Sequence, residues 1–198
     1  MDASFEGGFA DPVLQSQAAF RAVMDALANP GQPQNLVTPH SIAGSLSPEL
    51  ASIVLTLSDA DTRLWLSASL RRPEIESFVA FHTGASRVPD PERATFAFAT
   101  SAAELPGLEA FNLGTQEYPD RSTTVVLAVP SLSGGPDLVL RGPGIKDHLH
   151  ASPAGLPEDF VGQWDANREI FPRGIDLLLV AGGQVMGLPR STRIAEGH

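Results

Sequence analysis

The segment Thr123–Lys146 reads TTVVLAVPSLSGGPDLVLRGPGIK and contains two apolar runs separated by a turn-like stretch. The first run, 123–129, is rich in β-branched residues, and the second, 138–141, ends at a corner of glycine and proline. Short apolar runs bounded by Gly, Pro and Ser are typical of strands, and two of them joined by a turn resemble a β-hairpin. We therefore expect an antiparallel pair here, followed by a rigid loop.

The corner at 141–146 reads RGPGIK, and Lys146 is the only lysine in the chain. Glycine admits positive φ and lets a backbone approach a neighbour or a ligand, while proline fixes one torsion and removes an N–H donor. Such a corner suits a phosphate-sized ligand or a tight subunit contact. It equally suits a structural turn, because Gly and Pro punctuate loops of every kind.

Helix and strand patterns alternate along the rest of the chain. Apolar residues at helical spacing predict helices at about 11–28, from 47–49 onward, at 73–82 and at 157–170. Extended patterns predict strands at 34–37, 63–67 and 94–99, and a second hairpin from 175–181 and 184–188 around Gly182-Gly183. The fold class that follows is α/β, a mixed β-sheet flanked by helices.

Length and composition favour one domain over residues 1–198. The 198 residues are 42% hydrophobic, enough for one well-buried core, and the 17 prolines and 18 glycines are spread out rather than gathered in a linker. We expect residues 1–8 and 194–198 to be flexible, and 196–198 could be a tag remnant. No basic leader precedes an apolar core, and the apolar run 175–181 is short and contains Asp176, so a cytoplasmic protein is expected.

The charge balance and the absence of cysteine exclude several functions. A net charge of −10 with a pI near 4.8 opposes binding to nucleic acid, whose phosphates favour basic surfaces. The positive charge comes from twelve arginines and one lysine, and arginine binds carboxylates and phosphates through two hydrogen bonds at once. With no cysteine, this chain supplies no disulfide, thiolate nucleophile or iron-sulfur ligand.

Motifs for known catalytic sites are missing from the sequence. It has no phosphate loop, no nucleophile elbow, no zinc helix and no dinucleotide-binding turn. His148 and His150 could present two rings to a metal, but no third ligand can be named and a solvated loop explains them as well, so no metal is expected. Lys146 is the only candidate for a pyridoxal phosphate Schiff base, but its charged loop predicts exposure, whereas such a lysine is normally buried. No cofactor is therefore expected.

Arginines flank the ends of the strands predicted in the C-terminal half. Loops at strand ends are where open α/β sheets bind ligands, although surface ion pairs would explain the same pattern. The candidate ligand-binding residues are Arg141, Gly142, Gly144, Arg173 and Arg190, with Arg193 nearby. No catalytic residue can be named, because Asp165, Asn167 and Glu169 spread over different helix faces.

Four blocks of sequence are shared with a known family. They are GFADPV at 8–13, continuing through 16–31; LRGPGI at 140–145; the pattern NR-x-x-FP-x-G-x-D at 167–176; and LPR-x-T at 188–192. Each block alone is moderately specific, but their order and their spread over residues 8–193 are similar to the phosphonate metabolism protein PhnH family. Proteins of that family belong to the bacterial carbon-phosphorus lyase core complex. We identify the chain as resembling that family.

This resemblance implies a fold, partners and a pathway. The fold would be similar to the large domain of pyridoxal-phosphate-dependent transferases, without the cofactor function. Family members form homodimers and assemble with subunits G, I and J in organic phosphonate catabolism. The complex transfers ribose triphosphate from ATP to an alkylphosphonate and releases adenine, and a different subunit would be the nucleosidase.

Two functional hypotheses remain. In the first, the chain is a structural or assembly subunit, which agrees with its lack of cysteine, because radical cleavage of the carbon-phosphorus bond needs an iron-sulfur cluster. In the second, it is a small-molecule enzyme that binds a nucleotide or phosphonate in an arginine-rich pocket at the strand ends.

Overall fold

The computed structural model describes residues 7–40, 42, 44 and 46–197. Most of the predicted flexible N-terminal segment, residues 1–6, and the last residue of the possible tag remnant, His198, lie outside the described residues. Residues 194–196 of the C-terminal segment 194–198, which we expected to be flexible, belong to a strand that spans Arg193–Glu196.

Among the described residues, four α-helices form where the sequence predicts them. They are α1 (Pro12–Ala28), α2 (Pro48–Leu57), α3 (Pro73–Thr83) and α4 (Phe160–Glu169). The side chain of Asp11 accepts a hydrogen bond from the N–H of Leu14 (3.0 Å), and Ser47 does the same for Leu50 (3.2 Å). These caps satisfy N–H groups that the first helical turn leaves unpaired, and a proline follows each cap at the position that needs no donor. Both helix starts are thus encoded locally.

Within the part of the chain that the structure describes, ten strands form two sheets. The strands are β1 (Gln34–Asn35), β2 (Arg63–Leu66), β3 (Ser86–Arg87), β4 (Phe96–Ala99), β5 (Thr124–Ala128), β6 (Leu138–Arg141), β7 (Leu149–Ala151), β8 (Asp176–Ala181), β9 (Gln184–Leu188) and β10 (Arg193–Glu196). The larger sheet has the order β1-β9-β8-β5-β4-β2-β3, and the smaller has the order β10-β6-β7. Strands β3, β2, β4, β5 and β8 run parallel, whereas β9 and β1 are antiparallel to their neighbours. The predicted mixed sheet is confirmed.

One predicted hairpin is confirmed and the other is wrong. Strands β8 and β9 pair antiparallel around Gly182 and Gly183, both at positive φ, as expected. Strand β5 does not pair with β6; it lies between β4 and β8, and β6 pairs with β10 and β7 in the smaller sheet. The reason is burial: Val125, Val126 and Leu127 are fully buried, so this run needs cover on both faces and forms a central parallel strand.

Apolar side chains cover both faces of the larger sheet. One cluster joins α1, α2 and α3 to residues such as Phe98, Val126 and Leu178. The opposite cluster joins α4 and the smaller sheet to residues such as Val125 and Leu177. Side chains of one strand alternate between the clusters, as the pleat requires. No helix in the described part of the chain is long and apolar enough to span a membrane.

Candidate functional site

The glycine-proline corner after β6 packs against the end of α1. Gly142 and Gly144 have φ values of +144° and +84°, and the N–H of Ile145 donates to the carbonyl of Gly142 (3.1 Å). A Cβ on Gly144 would collide with the backbone carbonyl of Ala28, and one on Gly142 would lie 3.1 Å from the carbonyl of Ser191. Both glycines are therefore needed for backbone packing, which is the structural interpretation of this corner.

Arg141 lies directly opposite another arginine. In the antiparallel pair of β6 and β10, Arg141 is the register partner of Arg193, and both side chains are exposed. Like charges facing each other across a ladder repel, and neither arginine forms an ion pair with any described residue. The pair leaves two free guanidinium groups beside the corner, a local positive site in an acidic protein.

Arg190 is engaged within the protein. Its Nε donates to Asp176 Oδ1 (3.1 Å), a terminal nitrogen contacts Asp176 Oδ2, and its other terminal nitrogen donates to the carbonyl of Pro119 (2.7 Å). The backbone N–H of Arg190 also donates to Asp176 Oδ1 (2.7 Å). These bonds occupy its guanidinium group.

Arg173 lies three residues before Asp176, after the cis peptide bond between Phe171 and Pro172. Its side chain is half-buried and forms no hydrogen bond or ion pair with the described residues, while its N–H donates to the carbonyl of Ile170 (3.0 Å). The structure therefore divides the predicted ligand residues between two places. Arg141, Gly142 and Gly144 form the corner, whereas Arg173 and Arg190 flank the amino end of β8.

The remaining candidate residues lie in the loop between β6 and β7 and at the start of β7. Lys146 is exposed, as its charged loop predicts. The rings of His148 and His150 are 5.4 Å apart, and His150 Nδ1 is 2.8 Å from Asp137 Oδ2. Among the described residues, no group of three or more His, Cys, Asp or Glu side chains could hold a metal ion.

The strand order identifies a second candidate ligand site, which the sequence alone does not indicate. Parallel strands β2 and β4 are neighbours, and the chain leaves their carboxyl ends toward opposite faces of the sheet. After β2 it enters α3, whose Ile75 and Phe78 pack in one cluster; after β4 it supplies Leu108 and Phe111 to the other. Open α/β sheets bind ligands at such a point, because the diverging connections leave a crevice.

Hydroxyl groups and one carboxylate meet at these strand ends, which we call the β2–β4 edge (Ser67, Ser69, Arg71, Thr100 and Glu104). The hydroxyl of Ser69 donates to Glu104 Oε2 (2.7 Å), and its backbone N–H lies 3.4 Å from the same oxygen. The Thr100 hydroxyl is 3.2 Å from Oε2 and 2.7 Å from the Ser69 hydroxyl. Glu104 thus joins the loops that follow the two strands.

The environment of Glu104 favours its charged form. The Ser67 hydroxyl, then the Ser69 hydroxyl and N–H and the Thr100 hydroxyl, lower the pKa of Glu104, and burial opposes the shift. The carboxylate is therefore ionised at neutral pH and acts as a hydrogen-bond acceptor. Sequence reasoning could have found these residues only by noting that Ser and Thr follow two predicted strands, because the strand order that joins them is not visible in the sequence.

Comparisons with known proteins cover nearly the whole chain. The family described as bacterial phosphonate metabolism protein (PhnH) matches residues 7–195. A Rhizobium meliloti (strain 1021) protein named alpha-D-ribose 1-methylphosphonate 5-triphosphate synthase subunit PhnH is 46% identical over 190 residues, which cover 96% of this chain and 95% of that protein. A Stutzerimonas stutzeri protein named putative C-P lyase subunit protein HtxG is 33% identical over 189 residues, covering 91% of this chain and 86% of that protein. The chain belongs to the bacterial phosphonate metabolism protein (PhnH) family.

Proposed function

We propose that this chain is a subunit of the bacterial carbon-phosphorus lyase core complex and has a structural or assembly role. The complex would transfer ribose triphosphate from ATP to an alkylphosphonate and release adenine. Support comes from the match over almost the full length to a relative named as a synthase subunit, and from a second relative named as a putative C-P lyase subunit. With no cysteine, this chain cannot ligate the cluster that radical cleavage requires.

The exposed side of α1 is the structural observation that carries an assembly role. Val13, Phe20 and Met24 recur at helical spacing on the side opposite the core, and they are 63%, 49% and 49% exposed. With Gln17 and Arg21 they form the α1 face, next to a groove of about 470 Å³. Contiguous exposed apolar surface of this kind marks a protein interface.

We propose that the occupant of the α1 face is a second copy of the chain. The whole chain carries a net charge of −10, so two copies repel over most of their surface. Helix α1 carries one arginine and one aspartate, so its charges cancel and two copies can approach there. A two-fold axis would place this apolar stripe against itself, as in an isologous dimer. Subunits G, I and J would then bind other surfaces.

Assembly can be tested by changing the α1 face. We expect the wild-type chain to elute as a dimer in size-exclusion chromatography with light scattering and to co-purify with co-expressed subunits G, I and J. The double change Phe20→Asp and Met24→Asp should give a monomer. Phe171→Asp, at a similarly exposed aromatic residue elsewhere, is the matched control and should remain dimeric. A wild-type monomer that ignores its companions would refute the proposal.

A second candidate function rests on the facing pair Arg141 and Arg193. Two unpaired guanidinium groups beside a glycine corner could bind a nucleotide or a phosphonate, as expected for a small-molecule enzyme. Calorimetric titration with ATP and methylphosphonate tests this, with Arg141→Ala as the control. Absence of heat at millimolar ligand would exclude this candidate.

We also propose that the larger sheet is related to the large domain of pyridoxal-phosphate-dependent transferases and that the chain has no cofactor function. The sheet has parallel central strands with an antiparallel neighbour, and the only lysine is exposed in a loop. A Schiff-base lysine needs burial to depress its pKa, which such a loop does not provide. An absorbance spectrum of the purified protein with an aldimine band would contradict this proposal.

We further propose that residues 1–198 form one cytoplasmic domain. Both sheets contribute to a single apolar cluster, in which Leu138 and Ile194 of the smaller sheet join Leu127 and Leu179 of the larger. A shared core predicts one cooperative unfolding transition. Two separate calorimetric transitions would contradict the single domain, and recovery of the protein outside the cytoplasmic fraction would contradict the location.

A further inference from the structure

At the β2–β4 edge, Ser69 and Thr100 engage one of the two oxygens of Glu104. Ser69 and Thr100 donate to Oε2 of Glu104, and the Ser67 hydroxyl also interacts with this carboxylate. These groups hold the carboxylate in place and lower its pKa, and Oε1 accepts no hydrogen bond from Ser69 or Thr100. An anchored, ionised carboxylate offers about four acceptor sites on its two oxygens, so it can accept further hydrogen bonds from the hydroxyl groups of a ligand.

An arginine lies on the loop that carries Ser69. The Nε of Arg71 donates to the carbonyl of Leu66 (2.8 Å), and its guanidinium lies 5.6 Å from the centre of the Trp65 ring. These two contacts orient the side chain at the carboxyl end of β2. Its terminal nitrogens make no hydrogen bond or ion pair with any described residue. They remain available for two parallel hydrogen bonds to a phosphate or phosphonate.

We propose that the β2–β4 edge binds a sugar phosphate, with Glu104 accepting from sugar hydroxyls and Arg71 binding the phosphate. The Glu104 carboxylate is negatively charged and the Arg71 guanidinium is positively charged. Glu104 would repel a ligand that carries only negative charge, and a neutral sugar would form no ion pair with Arg71. A sugar that bears a phosphate satisfies both. The site lies at the carboxyl ends of β2 and β4, where the following connections diverge to opposite faces of the sheet. The proposal rests on the proposed function, which concerns transfer of a phosphorylated ribose.

Ribose 5-phosphate is the probe that tests this site. We expect titration into the full chain to shift the amide NMR signals of residues 67–71 and 100–104 and to give heat in calorimetry. Ribose and methylphosphonate, which each offer one half of the ligand, should bind at least about tenfold more weakly. Glu104→Gln and Arg71→Ala should each weaken ribose 5-phosphate binding at least about tenfold. The neighbouring exposed residues provide controls, because Glu109→Gln and Arg72→Ala should leave binding unchanged.

Three results would overturn the site. The first is absence of binding at millimolar ribose 5-phosphate, and the second is binding that persists after both substitutions. The third is a change in amide NMR signals only at the glycine-proline corner, residues 141–146. Arg71 is exposed, so Arg71→Ala keeps the test valid if Glu104→Gln loosens the loops. Co-purification with subunits G, I and J distinguishes the proposed sugar-phosphate site from the proposed assembly role. A chain that assembles but does not bind ribose 5-phosphate contradicts the site and leaves the proposed function standing.

Discussion

Arg190 and Asp176 form a two-point ion pair that closes the amino end of β8. Two nitrogens of the guanidinium contact the two carboxylate oxygens, and a third reaches the carbonyl of Pro119. The side chains are only 14% and 20% exposed. These contacts connect three separate segments of the chain to one another: β8, the loop after β9 and the short helix at Pro119–Arg121.

Arg190→Ala should destabilise the protein strongly. The substitution leaves the Asp176 carboxylate with a backbone N–H but no counter-charge, and it leaves the Pro119 carbonyl without this donor. Removing one partner of a poorly solvated pair costs several kcal/mol, and partial exposure reduces this to about 2–3 kcal/mol. Urea denaturation measures the loss in the free energy of unfolding. Arg190→Lys should recover only part of it, because lysine cannot make the paired contact.

Arg173→Ala is the matched control for that measurement. Its guanidinium forms no hydrogen bond or ion pair within the described residues, so the change should stay within about 0.5 kcal/mol. Equal losses from the two arginines would show that the ion pair has no special role in stability.

The helices could be predicted from sequence because their signals are local. Asp11 and Ser47 each stand immediately before a proline and cap the helix that follows. Strand partners are not local. No sequence pattern in β5 indicates that it pairs with β4 and β8. The turn-like stretch at 131–136 suggested instead a hairpin with β6, which does not form. Strand β5 lies at the centre of the larger sheet because both of its faces are buried. Which faces are buried depends on the other strands and helices, so the sequence of β5 alone does not show it.

The candidate sites likewise include one that local sequence predicts and others that depend on residues distant in the sequence. The glycine corner is visible in the sequence, because glycine and proline constrain their own backbone. Arg190 looked like a ligand-binding residue because its partner, Asp176, lies 14 positions away. Ser69 and Glu104 are 35 positions apart, and only the pairing of β2 with β4 joins them. No pattern in the sequence shows such pairs.

Gly144→Ala tests whether the corner is a packing feature. The substitution forces a side chain into the backbone of Ala28 and places alanine at a φ of +84°. Positive φ alone costs about 1–2 kcal/mol, and overpacking adds about 1–3 kcal/mol. We expect a total loss of about 2–4 kcal/mol in the free energy of unfolding, measured by urea denaturation.

Gly134→Ala separates the two contributions. Gly134 has a φ of +82°, almost the same as Gly144, but a Cβ there would meet no atom within 4 Å. Its substitution should therefore cost only the backbone penalty of about 1–2 kcal/mol. If both alanine variants lose the same stability, contact between the corner and α1 contributes nothing.

Trp164→Phe should cost more than the same change at Trp65. Trp164 is fully buried, and its indole N–H donates to the carbonyl of Thr192 (2.9 Å). Phenylalanine leaves that carbonyl unpaired and opens a small cavity, which together cost about 2–4 kcal/mol. Trp65 is also buried but donates no hydrogen bond to a described residue, so Trp65→Phe should lose about 1–2 kcal/mol. Thermal denaturation followed by circular dichroism compares the two, and the reverse order would contradict the role of the hydrogen bond.

His82 makes the stability of the protein depend on pH. Its ring packs against Phe78 and Phe81, with centroids 4.5 Å and 5.0 Å away, and its Nε2 is buried without a hydrogen-bond partner among the described residues. Burial lowers the pKa of His82, because the charged imidazolium is poorly solvated there. The folded protein therefore takes up this proton at a lower pH than the unfolded chain does.

The free energy of unfolding should consequently fall as the pH is lowered from about 7 to about 5, since the unfolded chain protonates its histidine near pH 6.5. Above that range both states are neutral and the contribution of His82 to stability is complete. His82→Phe keeps an aromatic ring and removes the titrating group, so its stability should change less over this interval. His148→Gln, at an exposed ring, is the control. Urea denaturation at several pH values measures the slopes, and parallel curves for the wild type and His82→Phe would show that another group is responsible.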